Sequence, residues 1–346
     1  MAKVDVRVEV EGSIGKAEWN EFLSRASFAN FYLRYEWGEV ISRVFGHEVL
    51  RLVGRSDEDI VGVLPLVRMN THIFGHMLIS MPFLNFGGAA CKSLDITNCL
   101  LEEACRVAAD RGCDYLELRS RVPLDKMPTA LHKVNMALEL PSDQQELWNS
   151  FSSKHRTNIR RAYKNDITTE FGGRELIPEF YRMMELSWRS LGSPLYSRQF
   201  FESIFDFLGP DCRIYIARVR NRVIAAALNG HFQDTVEGMW AAGDPECRYL
   251  QANYVLYWEM LRTACDEGFG RYHLGRSTAG SGAQRYKEKW GAKAEQLYWV
   301  YDLAPGQEMP ELRPENPRYQ LPMKVWSKLP LRLLRLIGPQ IARRIP

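Results

Sequence analysis

Five cations crowd one short stretch of this chain. From Phe151 to Asp166 it reads FSSKHRTNIRRAYKND and places Lys154, Arg156, Arg160, Arg161 and Lys164 with no acid between them. At 3.6 residues per turn Arg156, Arg160 and Lys164 form one stripe, while His155, Ile159, Ala162 and Tyr163 cluster on the other side. Like charges at that spacing repel by roughly 0.2–0.5 kcal/mol per pair. Ser152 or Ser153 as N-cap would also set Lys154 and Arg156 at the positive end of the helix dipole. Local terms therefore oppose the helix unless something negative meets it. A phosphate, held by helix N–H donors and forked guanidinium groups, is one such group. The alternative is a solvated face paired with acids elsewhere in the fold.

A second stretch, LGRSTAGSGAQRYKEKWGA from Leu274 to Ala292, ends a strand at Gly275, Arg276 and Ser277 and passes through a Gly/Ser-rich connection. It enters a short helix with Arg285, Lys287 and Lys289 beside Tyr286 and Trp290. Such loops at strand ends let the backbone approach a ligand closely. The carboxylates Glu117, Glu237 and Asp244 fall at or near strand ends, and any of them could take a proton from an amine nucleophile. The residues do not choose among the three. His72 and His76 have metal-ligand spacing on a helix, but Gly75 and the strand pattern argue for a hairpin, so no metal is expected. His231 and His273 read as structural histidines, and Met239 and Trp240 as core. Cys247 could be a nucleophile only if a cation lowered its pKa.

A repeat shows which elements must position these residues. EEACRVAADRGCDYLELRS (Glu102 to Ser120) matches WEMLRTACDEGFGRYHLGRS (Trp258 to Ser277) at Glu103, Arg106, Ala108, Asp110 and Gly112 against Glu259, Arg262, Ala264, Asp266 and Gly268. After one inserted residue, Tyr115, Arg119 and Ser120 match Tyr272, Arg276 and Ser277. Strand-like runs precede each copy: VLRLVG, DIVGVLPLVRM and HMLISMPF, then RIYIARV, VIAAALNGHF and TVEGMWAA. Tight connections at Arg220-Asn221 and Gln233-Asp234 make the early strands antiparallel, and strand, helix, strand reads as a right-handed parallel crossover. The fold class is therefore α/β (α+β), in two domains, each a mixed, mainly antiparallel sheet with flanking helices. The expected boundaries are 1–140, 141–304 and 305–346. HKVNMALEL would close the first half, and Asp143 and Glu146 would open a new helix after Pro141. Pro305, Pro310, Pro314, Pro317 and Pro322 point to an extended linker before the tail.

Composition excludes little but agrees with this. The 45 basic and 42 acidic residues leave a net charge of +3, so binding to anions must come from local clusters. The seven cysteines show no CxxC pair and read as reduced thiols. The start MAKVDVRVEVEG lacks the apolar core of a secretory signal, and no apolar run reaches the ~18 residues of a membrane span. A cytoplasmic protein, peripheral at the inner membrane, is expected.

The run AQRYKEKWGA followed by QLYWVYDL resembles the end of the GNAT acyltransferase fold, through Ala283, Tyr286/Lys287 and Gly291. The pairing of LWNSFSSKHRTNIRRAYK with RYKEKWGA resembles Fem-type transferases, tandem-GNAT enzymes that add amino acids to peptidoglycan precursors. The FemAB-like branch associated with exosortase and exopolysaccharide systems is nearest, over most of the chain. The resemblance implies two tandem GNAT-like domains. It places Arg156, with Lys154 and Arg160 beside it, near the diphosphate of a nucleotide- or lipid-linked envelope precursor. It places Lys287 near the acyl donor, where it would stabilise developing negative charge. Beyond the resemblance, Arg276, Ser277, Tyr286 and Trp290 are expected to shape the same cleft, and Glu237 is taken as the candidate base among the three carboxylates. The implied donor is aminoacyl-tRNA or another activated acyl group, with no resident cofactor. GDPECRYLQAN stands where GNAT enzymes carry a Gly-rich loop for acetyl-CoA, which argues against CoA. An acetyl- or acyl-CoA-dependent N-acyltransferase and a non-catalytic module that binds anions or membranes are the competing readings. The acid-free tail RYQLPMKVWSKLPLRLLRLIGPQIARRIP reads either as a membrane-surface segment or as a helix pair docked on the domain.

Overall fold

A computed structural model describes residues 6–346 except 11, 13, 27, 72, 73, 125, 126 and 311–316. It divides into two compact units, residues 1–133, 296–310 and 344–346 in the first, and 134–295 and 311–343 in the second.

The first unit opens with β1 (Arg7–Val10), α1 (Lys16–Arg25) and α2 (Tyr35–Phe45). A meander of β2 (Glu48–Ser56), β3 (Asp59–Thr71) and β4 (Gly75–Ile79) follows, with β5 (Ala90–Cys91) on the side of β3. Next come α3 (Leu94–Asp110), β6 (Tyr115–Ser120) and β7 (Thr129–Ala130). Strand β3 is buried along most of its length, as expected of an apolar run covered on both faces. Ser93 caps α3 by accepting from the Ile96 N–H, and Ile96, Leu100, Ala104 and Val107 face Leu64, Leu66 and Leu116. The crossover makes β4 and β6 parallel neighbours.

The second unit runs β8 (Lys133–Glu139), α4 (Gln144–Ser150), α5 (Ser153–Tyr163), β9 (Ile167–Gly172), α6 (Ile177–Leu191) and α7 (Arg198–Leu208). It continues through β10 (Cys212–Val219), β11 (Arg222–Phe232), β12 (Thr235–Gly243), α8 (Ala252–Asp266), β13 (Arg271–Thr278), α9 (Gly282–Glu288) and β14 (Lys293–Gln296). The sheet order is β14-β8-β13-β12-β11-β10-β9. Arg220 and Gln233 take left-handed conformations at the two hairpin turns expected from the sequence. The repeat is now concrete: β4-α3-β6 and β12-α8-β13 are the same unit, and Gly112 and Gly268 end the two helices with positive φ.

Two strands depart from expectation. Lys133–Glu139, read as the strand closing the first half, lies in the second sheet between β14 and β13. The final strand β15 (Tyr298–Leu303) instead pairs with β6 and β7 in the first sheet. Both are short apolar runs, and such a run states that it must be buried without naming the edge it joins. The linker is also shorter than expected, because Pro317 begins helix α10 (Pro317–Trp326) and Pro322 lies inside it. Pro314 falls outside the described residues. Helix α11 (Leu331–Ala342) completes the chain.

Candidate active site

Strands β12 and β13 begin as a parallel pair and then part. The ladder runs Thr235↔Arg271, Val236↔Tyr272 and Glu237↔His273 and stops, although the strands continue to Gly243 and Thr278. Two local features account for the fork. In β12, Leu228 faces Trp240 while Asn229 faces Gly238, so Met239 is an extra bulged residue that bends the strand. In β13, Gly275 has φ +79°, a conformation that glycine adopts without strain. Gly238 is needed at the vertex, since a Cβ there would lie 2.8 Å from the His273 carbonyl oxygen. Past the vertex the facing edges no longer bond each other, which leaves room for an extended, amide-bearing ligand.

The last rung of the ladder carries chemistry. Glu237 Oε1 lies 2.8 Å from His273 Nδ1, and the two residues are 1% and 2% exposed. Val236 and Tyr272 belong to the core under α8, so Glu237 and His273, one residue on, face the opposite side of the sheet, where α6 packs. Among the described residues Glu237 Oε2 is buried with no hydrogen-bonding partner, as is Ser277 Oγ. A carboxylate with one unengaged oxygen and an imidazole on the other can accept and share a proton.

Lys287 is bonded to β13 just past this rung. Ser281 caps α9, and Lys287 Nζ donates to the carbonyls of Gly275 (2.9 Å) and Arg276 (3.0 Å), fixing the kinked part of the strand. Burial, with repulsion from Arg276, pushes its amine down to about 7. A cleft of about 390 Å³ opens beside the fork, between the end of β12 and the start of α8. Ala241, Gly243, Cys247, Arg248, Tyr254, Tyr257 and Tyr286 line it. Helix α8 has no side-chain N-cap, and exposed Arg248 has no carboxylate partner among the described residues. The first turn of α8 is thus electropositive and open to an anion.

A forked parallel pair, with a crossover helix pointing its N-terminus at the opening, decides the fold. This is a GNAT fold. Residues 150–288 match the Acetyltransferase (GNAT) domain family. Among solved structures the chain is similar to FemX at 14% identity and TM-score 0.66, covering 85% of this chain and 97% of that one. L-PGS from Bacillus licheniformis is similar at 12% identity and TM-score 0.54, covering 94% and 97%. A tandem GNAT protein from the clavulanic acid biosynthesis pathway is similar at 11% identity and TM-score 0.52, covering 88% and 100%. No curated protein sequence matches the chain. The tandem arrangement implied by the Fem-type resemblance is thus present in the fold.

Within the GNAT domain an aromatic cluster joins the two stretches singled out in the sequence. Trp290 is fully buried, with the rings of His155, Phe151, Tyr257 and Tyr254 at 4.3, 5.5, 5.7 and 6.2 Å. Tyr286 stands 5.5 Å from Tyr257. Burial, then the charge of Lys289, pushes His155 down to about 4, so it packs as a neutral ring. The apolar side of α5 is therefore fixed against Trp290, two residues past the end of α9. Replacing Trp290 with Ala is expected to cost about 3–5 kcal/mol of stability, read from urea unfolding.

The basic side of α5 carries no ion pair with a carboxylate among the described residues. Arg106, Arg213, Arg222, Arg262 and Arg335, by contrast, each hold a carboxylate. Lys154 is exposed. Arg160 lies 5.2 Å over the Trp148 ring, and Arg161 donates to Gln251 Oε1 (3.0 Å) at the cleft. Arg156 donates to the carbonyls of Asn149 (3.0 Å) and Phe151 (2.6 Å), which ties down the end of α4. It therefore has a structural task that the spacing did not reveal.

Other candidates resolve differently. Burial raises the Asp244 carboxyl, but the Glu246 N–H and the Arg222 guanidinium outweigh it and hold the group below its usual range. Asp244 is a cap and ion-pair partner, poorly suited as a base. Cys247 is pushed up by burial and by Asp244, the reverse of an activated thiol. Glu117 is bound to Arg119 inside the first unit (2.7 Å). His231 is lowered to about 4 by burial and nearby Arg213, and packs against Phe269 with its ring tilted, centroids 5.2 Å apart. His72 lies outside the described residues, and no metal-binding cluster occurs among those described. His273 is the functional candidate missed in the sequence. Its signal was the crossover register that sets it opposite Glu237.

Proposed function

We propose that this chain is an acyl- or aminoacyltransferase that moves an activated acyl group onto the amine of a phosphate-bearing cell-envelope or polysaccharide precursor. The observation that carries this reading is the buried Glu237–His273 pair at the vertex of an open fork, with Lys287 fixed beyond it. The acceptor amine attacks the donor carbonyl carbon, and its proton passes to the Glu237–His273 pair. The carbonyl oxygen becomes an oxyanion, and the protonated Lys287 amine, already positioned by two carbonyls, offers its remaining N–H. Collapse of the adduct expels the donor's leaving group and leaves an amide. Arg276 and Ser277 lie on the β13 arm of the fork, past Gly275.

Phosphate recognition is assigned to Lys154, Arg160, Arg161 and Arg248, with Arg156 contributing beside its structural contacts. The neighbours' names agree in kind, one being FemX and another a lysylphosphatidylglycerol synthetase domain. The segment Pro245–Leu250 is a 3₁₀ helix where acetyl-CoA enzymes carry a Gly-rich turn, which supports aminoacyl-tRNA over acyl-CoA as co-substrate. Turnover of each donor with an amine acceptor tests the reading, and failure with both would leave an anion-binding module. The double variant Arg160→Glu/Arg161→Glu should raise KM for a phosphate-bearing substrate by about tenfold or more with kcat little changed. An unchanged KM would remove these residues from phosphate recognition.

A further inference from the structure

The C-terminal helices present a face that acyl transfer does not use. Helix α11 packs inward through Leu334, Gly338 and Ala342, spaced i, i+4, i+8. Arg335 holds it there by donating to both oxygens of the buried Glu185 on α6. At the corner between α10 and α11, Arg189 donates to the Ser327 carbonyl (3.3 Å). The pair is docked, as one reading of the tail expected.

This docking turns the other side of each helix outward. Leu336, about half a turn from the inward stripe, is 73% exposed, and Leu333 lies beside it in the open. On α10, Leu321 is 70% exposed and Val325, one turn on, is also exposed. Lys324, Lys328 and Arg332 stand among them, exposed and without a carboxylate partner among the described residues. No Asp or Glu occurs from Pro317 to Pro346. Exposed leucines held on a fixed scaffold, on two helices whose only charged residues are cations, match a surface that is both apolar and anionic. Neither helix is long and apolar enough to cross a bilayer.

We propose that α10 and α11 form a membrane-docking surface that lays the second unit on an anionic bilayer. Leu321, Val325, Leu333 and Leu336 enter the boundary between headgroups and acyl chains, and Lys324, Lys328 and Arg332 face lipid phosphates. The inference is independent of the donor and acceptor assigned above. Flotation of the full chain with phosphatidylcholine vesicles, with and without phosphatidylglycerol, tests it. The chain should bind the phosphatidylglycerol vesicles about tenfold or more tightly, and less so in high salt. Leu321→Glu/Leu336→Glu and Lys324→Glu/Lys328→Glu/Arg332→Glu should each lose that binding while unfolding in urea at the wild-type midpoint, since these side chains are exposed. Equal flotation with both vesicle types, no flotation, or wild-type binding by the leucine variant overturns the proposal. So does a wild-type dimer in solution that stays off vesicles and that Leu321→Glu/Leu336→Glu converts to monomer, because a second copy would then be the occupant.

Discussion

Replacing Glu237 with Gln should lower kcat for acyl transfer by about 10²–10⁴ and leave the fold intact. Gln keeps the volume of the side chain, and its amide can still hydrogen-bond the imidazole of His273, now 2.8 Å from Oε1. It cannot take a proton. Stability should hold or rise, because the substitution removes a buried carboxylate whose Oε2 has no partner. That pairing of outcomes separates chemistry from structure: a residue needed only for packing would lose stability and rate together. Single-turnover rates with saturating donor, set beside urea midpoints, give both numbers. A rate close to wild type would exclude Glu237 as the base. A matching loss in His273→Asn would assign the proton to the pair rather than to the carboxylate alone.

The repeat frames why the proposed chemistry is assigned to the second unit. In the first unit β4 and β6 also form a short parallel ladder, ending at Ile79↔Glu117. There the chain after β4 folds back into the gap. Ser80 N–H donates to the Glu117 carbonyl (2.9 Å), and Gly87 N–H to the Arg119 carbonyl (3.0 Å). Glu117 and Arg119 neutralise each other, each only 1% exposed. The space at the start of α3 is about 40 Å³ against about 390 Å³ at the start of α8. The first fork is filled by its own backbone, whereas the second stays open.

What the sequence made legible was local. The faces of α5, the hairpin turns at Arg220 and Gln233, the Asp143 cap and the matched Gly112 and Gly268 all follow from spacing or from backbone preferences of single residues. What it hid was relational. Lys133–Glu139 and Tyr298–Leu303 look alike as apolar strands, and only the completed sheets decide which edge each joins. The fork depends on one bulged residue, Met239, that reads as ordinary strand, and His273 gains its meaning from a residue 36 positions away. Arg156 was legible as a cation, but its bond to the end of α4 depends on where Phe151 turns the chain.

Replacing Lys287 with Met should lower kcat by about 10²–10³, the usual loss when one donor to a developing oxyanion is removed. The pH dependence is the sharper part. With its amine depressed from 10.5 to about 7, Lys287 is charged below that pH and neutral above it. If the ammonium stabilises the oxyanion, the ratio of wild-type to variant rates is flat below about pH 7 and falls by roughly tenfold per unit above it. Taking the ratio cancels the titration of the acceptor amine and of every other group common to the two proteins. A ratio that rises through pH 7 would instead make Lys287 the base. Stability supplies an independent reading without any substrate. Between about 7 and 10.5 the unfolded chain binds a proton at this lysine that the folded chain does not, so the group's contribution to stability rises with pH across that window. Met at the same position has no such slope. The difference in urea unfolding free energy should therefore move in favour of the wild type as pH increases from 7 toward 10, whatever constant penalty follows from leaving the Gly275 and Arg276 carbonyls without their donor.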